Sequence, residues 1–328
     1  MPNQKQKLQR ILRTGNPERF SLFRILAACP AIAFVTFSSC DRQEIRTGIP
    51  VIFGIRVDEK TSVGSFDSTL QWMKSNQYNR LSIEFPMDRD SATGMLLVPQ
   101  VYLEKGRWIN EKLSGTEIRV SIGVYIYNAE RFNNRKSGTE DRDLDDYMEG
   151  LKVISSTMDT RILERVVCGC LPGEFTVSKP GLEFERKLSK IRTSNRTKIA
   201  WCCLADKLHE FTGWDQFDEI AISYPPAPSE EQFSYNRSWN SGVSAQAVTF
   251  GLPVIIWHSN VIGDYKPEQL RNHLRFWPEN VVISAVNLNS IYNIISPLDE
   301  NPYFGSAGNQ DFLNLVGEIS DRNQTIEK

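Results

Sequence analysis

Residues 80–127 read RLSIEFPMDRDSATGMLLVPQVYLEKGRWINEKLSGTEIRVSIGVYIY. The stretch opens with a short apolar run at 80–85. Residues 99–113 then place apolar side chains three and four apart, and 118–127 is again apolar and β-branched. Helical spacing between two short apolar runs is the mark of a crossover helix joining parallel strands.

The same alternation continues in both directions. Further strands are expected at 51–57, 165–170, 198–204, 219–224, 253–257 and 281–286, which makes eight with the two already named. Helical spacing recurs at 66–77, 144–162, 182–193, 238–250 and 266–276, and 311–321 can supply a closing helix. Only the connection from the fifth strand to the sixth is too short for a full helix. Eight such units predict an α/β fold, a single-domain (β/α)8 TIM barrel, with any chemistry at the carboxyl ends of the strands. A minimal barrel needs roughly 250 residues, so 41–328 is assigned to one barrel and no second domain is expected.

Residues 1–40 read differently. Lys5, Lys7, Arg10, Arg13, Arg19 and Arg24 precede an apolar run over 25–37, which ends in Ser38, Ser39 and Cys40. The run has the length of a secretory signal core and is too short to span a bilayer as a helix. Small residues directly before a cysteine resemble a bacterial lipobox, in which Cys40 is acylated. The expectation is a lipoprotein-type signal peptide, a membrane partner through the lipid, and a place in the cell envelope.

A net charge of -2 with scattered charged residues gives no basic stripe, so nucleic acid is not expected as a partner. Cys168, Cys170, Cys202 and Cys203 fall on neighbouring strands, where they read as buried small side chains, as an inter-strand disulfide, or as a metal cluster. Their spacing is not that of a zinc site, and no metal or cofactor is expected. The three histidines, His209, His258 and His273, form no H-E-x-x-H, and there is no P-loop and no G-x-S-x-G.

Carboxylates and aromatic rings remain. Glu174 follows the fourth strand in Cys168-Gly169-Cys170-Leu171-Pro172-Gly173-Glu174-Phe175. A carboxylic acid there, kept protonated by apolar neighbours, could protonate a leaving oxygen. Glu84, Asp206 and Asp264 are candidates for a second carboxylate. Around the same strand ends lie Tyr125, Tyr127, Trp201, Tyr224, Trp257, His258 and Asn287, an inventory suited to carbohydrate, since rings stack on sugars and amides take hydroxyls.

The run 165–174, the triplet Ile199-Ala200-Trp201, and Gly213-Trp214-Asp215-Gln216-Phe217-Asp218-Glu219 leading to Tyr224 and Pro225 resemble the middle of clan A glycoside hydrolases, in particular glycoside hydrolase family 113, β-mannan-cleaving barrels. The resemblance implies Glu174 as general acid/base. It departs from the family at the seventh strand, where Pro253-Val254-Ile255-Ile256-Trp257-His258 puts His258 near the place of the nucleophilic glutamate. Two expectations stand: a membrane-tethered glycoside hydrolase with a rearranged carboxylate pair, or a barrel without catalysis that keeps a carbohydrate- or partner-binding cleft.

Overall fold

Eight parallel strands close into a barrel. They are β1 (Val51–Arg56), β2 (Arg80–Arg89), β3 (Arg119–Ile126), β4 (Leu163–Gly169), β5 (Lys198–Leu204), β6 (Glu219–Ser223), β7 (Val254–His258) and β8 (Ile283–Leu288). Each pairs in parallel with its sequence neighbours, and β8 pairs with β1 to complete the ring. The structure is a computed structural model, and it describes residues 45–59, 61–126, 140–169, 188–192, 196–205, 208–211, 213–223, 233–258, 270–271, 274–275, 277–278, 280–288, 306–321 and 324–326. Residues 45–326 form one compact unit.

Helices cover the wall: α1 (Val63–Ser75), α2 (Gln100–Leu113), α3 (Glu140–Thr157), α4 (Phe233–Phe250) and α5 (Ser306–Asp321). The helix α1 starts where Ser62 and Ser65 form a reciprocal capping box, which satisfies backbone donors that the first turn leaves open. It buries Phe66, Thr69 and Met73, spaced for one face. The helix α2 buries Tyr102, Gly106, Ile109 and Leu113 on the same principle. A Cβ at Gly106 would stand 3.3 Å from the Phe85 ring, so glycine lets this helix lie close on β2. Between β5 and β6 the described residues form two 3-10 turns, Leu208–Glu210 and Trp214–Gln216. Among the described residues, no helix is long and apolar enough to cross a membrane.

Two apolar layers follow from strand alternation. The larger lies between wall and helices and contains Phe53, Ile83, Ile122, Val166, Trp201 and Ile256. The smaller fills the barrel interior with Ile52, Val167, Ala200, Cys202, Ala221, Ile255, Trp257 and Ala285. Most of the interior side chains are small, which leaves the central space to the indole of Trp257, itself fully buried. Gly123 completes this accommodation, because a Cβ there would lie 3.1 Å from Trp257 Cζ2.

At the amino-terminal end the interior is closed by charge. Arg165 on β4 donates from Nε and Nη2 to Glu219 on β6, at 2.5 and 3.2 Å, and from Nη1 to Ser121 at 3.0 Å. Lys198 Nζ reaches Glu219 at 2.6 Å. Burial pushes the Glu219 carboxyl up, but Arg165 and Lys198 outweigh it and hold it below the usual carboxylate range.

Candidate active site at the barrel mouth

The carboxyl ends of β1, β2, β3, β7 and β8 bring together Arg56, Glu84, Tyr125, Trp257 and Asn287. The last residue of β1, Arg56, pairs in register with Glu84. Its Nε donates to Glu84 Oε2 at 2.8 Å, and its guanidinium lies 5.1 Å from the centre of the Tyr125 ring. The Arg56 side chain is 47% exposed, whereas Glu84 is 2% exposed. The other Glu84 oxygen accepts from Trp257 Nε1 at 2.9 Å. Because β2 and β7 are not neighbours in the barrel, this bond crosses the interior and ties opposite walls together.

Deeper in the same end, Asn287 is fully buried. Its Oδ1 accepts from Ser82 at 2.8 Å, and its Nδ2 donates to the Trp257 carbonyl at 2.9 Å. The Tyr125 hydroxyl donates to the Val57 carbonyl at 3.0 Å. Burial pushes the Tyr125 phenol well above its ordinary pKa, against the opposing pull of the Arg56 charge. The result is a floor of oriented polar groups with one half-exposed cation, Arg56, facing the mouth.

This geometry assigns roles that differ from the expected ones. Glu84 is at the mouth, but each of its oxygens accepts a hydrogen bond from a fixed donor. That makes it an orienting group for Arg56 and Trp257. Trp257 and Asn287 reach the predicted strand ends, yet both are fully buried and serve as interior packing and bracing. Trp201 lies on the other side of the wall, 2% exposed, and its ring stacks on Phe211 with centroids 5.1 Å apart and planes 11° from parallel. Alternation could have shown this, since Ala200 and Cys202 on either side face the interior. His258 ends β7 opposite Ser223. Glu174, Asp206, Asp264, Tyr127, Tyr224 and Cys40 lie outside the described residues.

The sequence reading did not single out Arg56, Ser82 and Gly123, nor the pairing of Arg165 with Glu219 at the amino-terminal end. A charged residue inside an otherwise apolar strand run was the available signal for Arg56 and Arg165, because such a charge is buried only with a partner. The cysteines divide between layers: Cys168 faces the helices and Cys202 the interior. Among the described residues, no group of histidine, cysteine and carboxylate side chains could hold a metal ion.

Gly169 ends β4 with φ of +87°, and a Cβ there would stand 2.3 Å from the Cys202 carbonyl oxygen. Only glycine fits such a conformation at such an approach. The Tyr147 hydroxyl on α3 donates to the Gly169 carbonyl at 2.5 Å. Together they fix the last residue of β4.

No protein-family model matches the sequence, and no curated protein does. Solved structures match in fold. A glycoside hydrolase family 113 β-1,4-mannanase superposes with a TM-score of 0.57 at 11% identity, over 85% of this chain and 100% of its own. The family 113 β-mannanase of Alicyclobacillus acidocaldarius gives 0.54 at 10% identity, over 84% and 98% of the two chains. The endo-β-1,4-mannanase of Thermotoga petrophila gives 0.53 at 12%, over 85% and 78%. At these identities the likeness is one of fold alone, a (β/α)8 barrel.

Proposed function

We propose that the chain acts on a β-linked poly- or oligosaccharide at the carboxyl-end mouth of the barrel, with Glu174 as general acid/base. The observation that carries this reading is the braced floor of Arg56, Glu84, Trp257 and Asn287 at the end of the barrel where such folds hold their chemistry. The solved barrels of like fold are mannanases by their descriptions, which supports a glycan as ligand.

In this reading Glu174 protonates the leaving glycosidic oxygen. A second carboxylate attacks the sugar carbon when it lies about 5 Å away, or activates water when the gap is roughly 6.5–9.5 Å. With both Glu84 oxygens held by Arg56 and Trp257, the second group is Asp206 or Asp264. Arg56, oriented from behind by Glu84, hydrogen-bonds sugar hydroxyls, while Tyr127, Tyr224 and His258 line the mouth. Cys40 carries a lipid that holds the barrel in the cell envelope.

A second reading is recognition without cleavage. It is favoured by His258 as the last residue of β7 and by the engagement of Glu84. Reducing-end release from a panel of polysaccharides, measured for the parent and for Glu174→Gln, separates the two. Release that the variant loses supports the hydrolase. Retention on one immobilised glycan without release supports recognition alone, and neither release nor retention on any glycan refutes both.

A further inference from the structure

The chain enters the barrel from the end opposite the mouth. Ile45–Thr47 pairs antiparallel with Gln324–Ile326, the short strand that follows α5. The next residue, Gly48, packs against the end of that helix so closely that a Cβ would meet the Ser320 carbonyl oxygen at 1.9 Å. Ile49 is then buried at 2% exposure, and β1 starts at Val51. The entry is thus fastened at the amino-terminal face by a strand pair, a helix end and a buried side chain. Every barrel strand runs away from it.

We infer that the amino-terminal face of the barrel is its membrane-facing surface, and that the mouth is turned away from the lipid. The inference rests on the lipid anchor at Cys40 proposed above. Between that cysteine and Ile45 stand only residues 41–44, and the five Cα steps from Cys40 to Ile45 reach at most roughly 18 Å when fully extended. The six residues of β1 alone advance about 20 Å toward the mouth. A tether of that length, attached at that face, cannot carry the mouth round to the bilayer. The substrate class narrows accordingly. The site takes a glycan presented in the aqueous space beyond the membrane, not the head group of a lipid lying in the same bilayer.

The test uses the full chain, produced with its leader in a bacterial envelope and reconstituted in vesicles containing anionic lipid. A thiol-reactive dye is placed at Glu117→Cys on the amino-terminal face or at Ser91→Cys beside the mouth, both exposed positions. The unsubstituted chain measures background labelling of the native thiols. Quenching by head-group spin-labelled lipid is expected to be several-fold stronger at position 117 than at 91. Equal quenching, or stronger quenching at 91, overturns the inference. Mass analysis of the mature N-terminal peptide checks the premise separately. Cys40 as a diacylated first residue is expected, and an unmodified N-terminus removes the inference with its anchor. Neither readout depends on glycan cleavage, so a failure here is distinct from a failure of the active-site reading.

Discussion

Replacing Glu219 with glutamine removes the only carboxylate that Arg165 hydrogen-bonds among the described contacts, while leaving the shape of the barrel floor almost unchanged. Glu219 is fully buried and Arg165 is 2% exposed, so the variant leaves the guanidinium with only the more distant Glu164 carboxylate, 3.9 Å away, in a place that water hardly reaches. Breaking a buried pair from one side costs roughly 3–5 kcal/mol. The Lys198 contact adds little to this figure, because that side chain is 44% exposed and can turn to solvent. For a barrel of this size the expected fall in Tm is on the order of 10 °C. Urea and thermal unfolding, followed by circular dichroism, measure it.

The effect also has a pH signature. The folded-state pKa of Glu219 is depressed. Its stabilisation is therefore fully present above the ordinary carboxylate value of about 4.3 and is lost as pH falls through the lower folded value. The difference between parent and Glu219→Gln should be flat from pH 7 to about 5 and should shrink below that. The double variant Arg165→Met with Glu219→Leu removes both charges and should recover most of the loss. A cost below about 1 kcal/mol for Glu219→Gln, or a double variant less stable than the single one, would refute the reasoning.

Glu84→Gln turns an amide N–H₂ toward either Arg56 Nε or Trp257 Nε1. It should lower stability by about 1–3 kcal/mol in urea unfolding, toward the low end because Arg56 is half-exposed. Since Glu84 carries no proton in the proposed reaction, the pH profile of glycan cleavage should keep its shape. Gly123→Ala presses on Trp257 Cζ2 and should cost about 1–3 kcal/mol. Combining it with Trp257→Phe, which lacks that atom, should cost less than the sum of the two, by roughly 0.5–3 kcal/mol in a double-mutant cycle. Gly169→Ala meets both a left-handed φ and the Cys202 carbonyl, so it should destabilise by at least about 2 kcal/mol in the same assay. Additive behaviour at Gly123 and Trp257, or a neutral Gly169→Ala, would contradict the packing described.

The eight strands were legible because burial on both faces makes them short apolar runs, and 198–204 has the bounds expected for it. Boundaries moved where distant contacts decide them. The strand β2 continues to Arg89 rather than stopping at Phe85, since Asp88 and Arg89 pair with Leu97 and Leu96. Arg89 is clamped there by both oxygens of Asp143 on α3, each at 2.9 Å. No local pattern announces a partner 54 residues away. The helices α4 and α5 begin earlier than expected, at Phe233 and Ser306, and for α5 the first turn, Ser-Ala-Gly-Asn, carries little apolar periodicity.

At the mouth, residue type identified Glu84, Trp257 and Asn287 as chemically interesting, but not what they would touch. Strand-end aromatics look alike in sequence whether they face sugar, interior or helix. Trp257 is buried because its neighbours on other strands are Ala200, Ala221, Ala285 and Gly123, and that juxtaposition exists only once the barrel closes. The Glu84–Arg56 pair has the same origin, since it depends on the register of two parallel strands.

The most direct test of the central claim is the ratio of kcat/KM for the parent to that for Glu174→Gln, on whichever polysaccharide the release screen identifies. A general acid acting on a poor leaving group predicts a loss of about 10²–10⁴-fold in the variant. A variant within tenfold of its parent, with unchanged folding, would contradict Glu174 as the acid and the hydrolase reading with it.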